Sequence, residues 1–286
     1  MAGGRPRHRV AGDRRPPGRA RCRARCLEQV LPGEEDCDRR GDEDCDGVGC
    51  SDVLWARTFG TGPFQWPTSI AISPKGDRIA MAGLYRGEIN FGPDATTALP
   101  ENTSGAAFLA VFDGDGDHVY SRGIPLEGDG SAAVAMDAEG NVLFATKYAG
   151  TVNLGGDDLP VSGSSDMLVV KLDKNGGHVW SKQFGGPEGQ TTPTDITVTP
   201  EGDPVLVGIF TSAVTFGGLT FETAETSDLD SFLVRLSGED GGHIYSVQIG
   251  DHTSDTPGAQ WAKGVAVDAM GRAVAAAPAV SGRRVR

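Results

Sequence analysis

Between residues 54 and 274, short runs of alternating apolar and polar residues are separated by Gly, Asp, Asn or Pro, the two-residue period of strands buried on one face. The runs recur. LWARTFG (54–60), HVYSRGI (118–124), HVWSKQF (178–184) and HIYSVQI (243–249) share one pattern, and their anchors Trp55, Tyr120, Trp180 and Tyr245 are 65, 60 and 65 residues apart. A second set, SIAISPKGD, AVAMDAEGN, DITVTPEGD and VAVDAMGR, places Gly76, Gly140, Gly202 and Gly271 at spacings of 64, 62 and 69. GEINFGP, GTVNLGG and SAVTFGG form a third set, and AAFLAVFDGDGD, DMLVVKLDKNGG and SFLVRLSGEDGG a fourth. Each string reads as a strand. The period therefore predicts modules of about 60 residues, each a four-stranded meander. Glu139-Gly140-Asn141 and Glu201-Gly202-Asp203 supply the positive φ for the turn between first and second strands.

A four-stranded module with an apolar face cannot bury its core alone, so modules must stack, and radial stacking gives a propeller. The expected fold is all-β: a β-propeller-like array of four-stranded antiparallel modules, three complete blades followed by a partial one that stops after VAVDAMGRAV. LWARTFG lacks three preceding strands of its own and is expected to be the outermost strand of the last blade. As written the ring is then an open arc with exposed edges, and truncation is the expectation.

The repeats resemble bacterial β-propeller repeat proteins of the SBBP type. VAMDAEGNVLFA (134–145), GTVNLGG (150–156) and SSDMLVVKLDKNGGHVWSKQFG (164–185) carry the likeness. It implies a propeller fold and a location that in this family is often exported, and it carries no single activity.

Composition adds a second region. All five cysteines, Cys22, Cys26, Cys37, Cys45 and Cys50, precede residue 51. Their confinement to a short segment points to disulfides and an oxidising compartment, and the absence of any CxxC pair argues against zinc. Residues 1–25 hold nine arginines and one acid, so they carry +8 and leave −21 on the rest of a chain whose net charge is −13. An acidic body repels nucleic acid, and no apolar run is long enough to span a membrane. The expected organisation is an Arg-rich leader or mis-chosen start (1–25), a Cys/Asp-rich knob (26–53), the repeats (54–274) and a disordered tail (275–286). No signal peptide is visible, yet the cysteines and the family resemblance place the protein outside the cell or on its surface.

Four features could carry chemistry. Trp66 and Trp261 stand four residues before the first-strand residues Ile70 and Val265, in loops expected at the channel mouth, where indoles can stack on a sugar or a base; capping the core is the competing role. His118, His178 and His243 recur at the start of the outermost strand, so they should lie apart and serve structure. The DGDGD run at Asp113, Asp115 and Asp117 resembles the start of a calcium loop, but the closing position is Ile124, which leaves a hairpin turn. The segment EEDCDRRGDEDCDGVGC (34–50) has eight acids within residues 34–46 and resembles the Cys-Asp-rich metal-binding motif of MopE-like bacterial proteins. There Asp42, Asp44 and Asp46 take positions 1, 3 and 5 of a loop that turns at Gly47. Position 12 is Val53, so Asp36 or Asp38 must fold back to supply the closing ligand. A Cys37–Cys45 bridge would gather these carboxylates, and calcium is the candidate ion; an acidic linker is the competing role.

The function expected is a non-enzymatic binding or scaffold module with a protein or glycan ligand. The alternative is a propeller-fold enzyme, a lyase or hydrolase, at the channel mouth. Nothing resembling a catalytic triad or a phosphate loop occurs at the mouths, so no catalytic residue is assigned.

Overall fold

The computed structural model describes residues 55–60, 64–126, 130–224, 228–250 and 261–277. The knob at 26–53 and the leader therefore lie outside the described residues, as does the tail beyond residue 277. By internal contacts the chain divides into residues 1–56 and 57–286, and only Trp55 and Ala56 of the first unit are described.

The fold is all-β, as the repeat implies. The first module is a four-stranded antiparallel sheet of β1 (Phe64–Ile72), β2 (Arg78–Asn90), β3 (Ala98–Asp113) and β4 (His118–Pro125), paired in chain order. The second comprises β5 (Ala132–Met136), β6 (Val142–Tyr148), the small hairpin β7 (Thr151–Val152) and β8 (Leu159–Pro160), then β9 (Asp166–Leu172) and β10 (His178–Phe184); its sheet runs β5-β6-β9-β10. The third repeats this plan. Its strands are β11 (Thr191–Val198), β12 (Pro204–Phe210), the hairpin β13 (Ala213–Thr215) and β14 (Thr220–Glu222), β15 (Asp230–Leu236) and β16 (His243–Ile249). A two-stranded piece follows, β17 (Gly264–Val267) with β18 (Ala273–Ala276).

The third string departs from expectation. GTVNLGG and SAVTFGG build the small hairpins between second and third strands, and the blade's second strand is the apolar run after the glycine turn. Polar side chains fold these segments back locally: Gly155 N–H donates to Asn153 Oδ1 at 2.8 Å and Gly217 N–H to Thr215 Oγ1 at 3.3 Å. Each hairpin then lays an apolar residue, Leu154 or Phe216, against its neighbours in the core. In the first module β2 and β3 continue through the equivalent region, pairing Ile89 with Leu99.

LWARTFG also differs. Its described residues carry no strand. Phe59 instead packs on Phe91 (5.3 Å between centroids) and Phe112 (5.1 Å), and Arg57 pairs with Asp117 at 2.8 Å. Phe184 stands 5.3 Å from Phe216 of the next module, so Phe59 meets the first blade as an outer strand meets its successor.

Strand alternation gives each blade two apolar faces, and the cores form where the trailing face of one blade meets the leading face of the next. Ala80, Ala82 and Ala107 of the first module pack with Val134, Met136, Phe144 and Leu168 of the second. Ala133, Ala135 and Ala145 pack with Ile196, Leu206, Phe210 and Phe232 of the third. Small residues facing large ones let two sheets approach without voids, and an inserted methylene here would cost about 1–3 kcal/mol.

An ion pair within the second module is tied across the second of these seams. Asp137, in the turn after β5, is buried and bonds Lys171 Nζ at 2.9 Å. Lys171 also donates to Gly238 O of the third module (2.9 Å), as does Trp180 Nε1 (3.2 Å). Burial by itself raises the Asp137 pKa, but hydrogen bonds from Asn141 and Lys171 outweigh it and hold the carboxylate below its ordinary 3.8. With the folded value depressed, this stabilisation is full above pH 4 or so and is lost as pH falls through the folded value. Lys171→Met strands the buried carboxylate and should cost about 3–5 kcal/mol at pH 7 in denaturant unfolding. The difference from wild type should shrink as pH is lowered below about 4. An equal loss at pH 7 and pH 3 would show that Lys171 acts through packing alone.

Candidate functional site

The free edge formed by the first strands β1, β5, β11 and β17 is held by side chains. A bulge between Pro67 and Ser69 turns Thr68 out of the ladder, and Thr68 Oγ1 donates to Ala132 O of the next module at 2.5 Å. Val134 N–H donates to Ser69 Oγ at 3.1 Å. The third module repeats this with a bulge between Pro193 and Asp195: Thr194 Oγ1 donates to Ala262 O at 2.7 Å and Val265 N–H to Asp195 Oδ2 at 2.9 Å. Between these, Ser131 Oγ donates to Pro193 O.

Both tryptophans singled out by sequence sit beside these latches. Trp66 precedes the first bulge, and Trp261 precedes Ala262, which is buried and donates its N–H to Ser231 Oγ at 2.8 Å. Both indoles are open to solvent, with exposures of 61% and 42%. Trp66 lies 6.1 Å from the Phe64 ring, over which Arg86 sits at 5.8 Å. Lys263 Nζ lies 4.4 Å over Trp261. Among the described residues no ring contact joins the two indoles. Each is thus a separate aromatic platform with a cation beside it, on backbone fixed by a neighbouring module.

The three histidines are held in separate modules. A Cβ on Gly156 or Gly218 would run into the His178 or His243 ring, so each imidazole lies on the glycines of its own hairpin. His178 Nε2 pairs with Ser181 Oγ (3.1 Å) and His243 Nε2 with Ser246 Oγ (3.0 Å). His118 differs: its Nε2 is buried with no hydrogen-bond partner, and burial lowers its pKa, which favours the neutral ring. It lines a cavity of about 600 Å³ with Arg57, Phe59, Asn90, Phe91 and Asp117. Sequence reasoning did not find this cavity, because it depends on where residues 57–59 pack. Among the described residues no three His, Cys, Asp or Glu side chains gather as a metal site. The candidate ligands Asp38, Asp42, Asp44 and Asp46 lie outside the described residues.

Asp113 behaves as a turn residue. Its Oδ1 accepts the N–H groups of Asp115 (3.0 Å) and Asp117 (2.8 Å), and Asp173 Oδ1 does the same for Asn175 (2.7 Å) and Gly177 (2.9 Å). Two buried aspartates escaped the sequence reading. Asp166 Oδ2 accepts from Ser162 N–H (2.7 Å) and from Gln183 Nε2 (2.5 Å), while Asp230 Oδ2 accepts from Gln248 Nε2 (2.7 Å). A Cβ on Gly185 or Gly250 would collide with these carboxylates. The signal was a repeated Asp–Gln–Gly set that is replaced in the first module by Ala106 and Gly123.

No family model and no curated protein matches the chain. Among solved structures the chain is similar to the β-propeller domain of Myceliophteria thermophila Cps50 (Swd1), with 11% identity and a TM-score of 0.31. The match covers 76% of this chain and 63% of that one, less than two thirds of its length.

Side chains this exposed contribute little to the fold. Trp66→Ala and Trp261→Ala should each leave unfolding free energy within about 0.5 kcal/mol of wild type. A loss several times larger in thermal or denaturant unfolding would assign the indoles to the core.

Proposed function

We propose that the chain is a non-enzymatic propeller module that binds a glycan outside the cell or on its surface, with Trp66 and Trp261 as the stacking platforms. The observation that carries this reading is that both indoles stay exposed on latched backbone. An indole offers a flat apolar face for the C–H face of a sugar ring at little entropic cost. Arg86 and Lys263 add positive charge beside the aromatic clusters in a chain whose net charge is −13, which favours a ligand carrying carboxylate or sulfate groups. Cysteines confined to one acidic segment, together with the repeat pattern, support the extracellular placement. On a glycan array the full chain should retain a set of acidic saccharides and lose them in the Trp66→Ala, Trp261→Ala double variant. Equal retention by both proteins would overturn the reading.

The same reading gives the Cys/Asp segment a role as a calcium-stiffened stalk. Asp42, Asp44 and Asp46, with Asp38 folded back, form an incomplete oxygen shell, so affinity belongs in the roughly 10⁻⁴ to 10⁻³ M range of extracellular sites. Calorimetric titration of the oxidised chain with calcium should give saturable heat, abolished by Asp42→Asn, Asp44→Asn and Asp46→Asn together. Indistinguishable heats would leave the segment an acidic linker.

A further inference from the structure

In the second and third blades the imidazole that opens the outermost strand fills the space beside its own hairpin. His178 and His243 lie on Gly156 and Gly218 and bond Ser181 and Ser246. The first blade departs from this at two places: Pro93 stands where the others have Gly156 and Gly218, and Asp117 where they have Gly177 and Gly242. A proline carries the Cβ that this seat excludes. The loop packs differently in consequence, for a Cβ on Gly92 would meet Thr97, whereas one on Gly155 or Gly217 would meet the histidine. His118 Nε2 is left buried without a partner, although Ser121 occupies the place of Ser181 and Ser246. An unsatisfied buried nitrogen costs the fold stability, so packing does not account for the exchange. What the exchange leaves between loop and strand is the cavity of about 600 Å³, within the roughly 300–1,000 Å³ of small-molecule sites. Its opening is set by residues inside the first blade.

We infer that this cavity binds a neutral sugar ring. The inference extends the glycan reading, on which it rests for the biological ligand, and uses none of that reading's residues. Arg57 and Asp117 meet at 2.8 Å on the rim, and both remain open to solvent. Their bond uses Nη2 and Oδ1, so among the described residues Asp117 Oδ2 and the other guanidinium N–H groups have no protein partner. An anion brought here meets the carboxylate and a cation meets the guanidinium, so neither charge is favoured. Neighbouring hydroxyls suit both groups, because each can donate and accept: one donates to Asp117 Oδ2 while the next accepts from Arg57. The apolar wall is Phe59, held 5.3 Å from Phe91, and it offers a ring face to the C–H face of the sugar.

Saturation-transfer NMR of the full chain with the methyl glycosides of glucose, galactose and mannose, each alone, should show weak, saturable binding of at least one of them. Asp117→Ala removes the acceptor and should weaken that binding by at least about tenfold. Pro93→Gly together with Asp117→Gly restores the sequence of the other blades and the seat for His118. This variant should lose binding while far-UV spectra and melting show a fold that two blades already use. The Trp66→Ala, Trp261→Ala double variant should bind the neutral glycoside as wild type does, whatever becomes of its acidic saccharides, which separates this site from the indole platforms. A wild-type chain that binds none of the three glycosides would overturn the inference. So would undiminished binding by the Pro93→Gly, Asp117→Gly protein, or binding that disappears with the two tryptophans.

Discussion

The arrangement rests on how the free edge of each first strand is satisfied. A first strand has one neighbour in its sheet and a row of unpaired N–H and C=O groups on the other side. Thr68, Ser69, Ser131, Thr194 and Asp195 answer this by bonding backbone groups in or just before the next module's first strand. A bonded pair is worth about 1 kcal/mol, while an unmade one in a buried seam costs more, so the stakes lie in omission. The bulges at Pro67/Ser69 and Pro193/Asp195 aim the threonines across the gap. With the inner edges pinned, the alanine-rich trailing faces and bulky leading faces can meet at one spacing only.

Much of this was legible in the chain, and the reasons are specific. Gly76, Gly140, Gly202 and Gly271 adopt φ between 72° and 90°, which is why these positions recur as glycine and why they mark the first turn so clearly. Alternation named the strands but not which face belonged to which seam, since neighbouring blades are related by packing rather than by sequence distance. That is why the alanine faces and the threonine latches went unread. The third string misled because GTVNLGG has a strand's composition, while Asn153 and the glycines fold it back after two paired residues. Trp66 and Trp261 were found by their place before the first strand. The His118 cavity required knowing that Phe59 lies on Phe91.

The modules keep polar networks by moving their parts. In the second, Asp137 opens the turn and pairs with Lys171; in the third, Asp203 closes the turn and takes Arg235 at 2.7 Å. The first uses Ser73 and Asp77, bonded at 2.7 Å, with Val111 in place of the cation. Asp166 with Gln183 and Asp230 with Gln248 recur as a set, while Ala106 and Gly123 empty the same place without leaving a charge behind. The solutions are not all closed: Asp166 Oδ2 is bonded, but its Oδ1 is buried with no hydrogen-bond partner.

This separates structural from functional positions in a repeat. Where equivalent residues change together and preserve a bonded set, packing accounts for them. Where equivalents change freely beside a retained bond, the fold does not dictate the choice. Trp66, Gly130, Thr192 and Trp261 are such a series: the latch beside them persists while the residue itself runs from glycine to indole. A large aromatic with much of its surface in water at two of these four positions is where binding chemistry on this scaffold is to be sought.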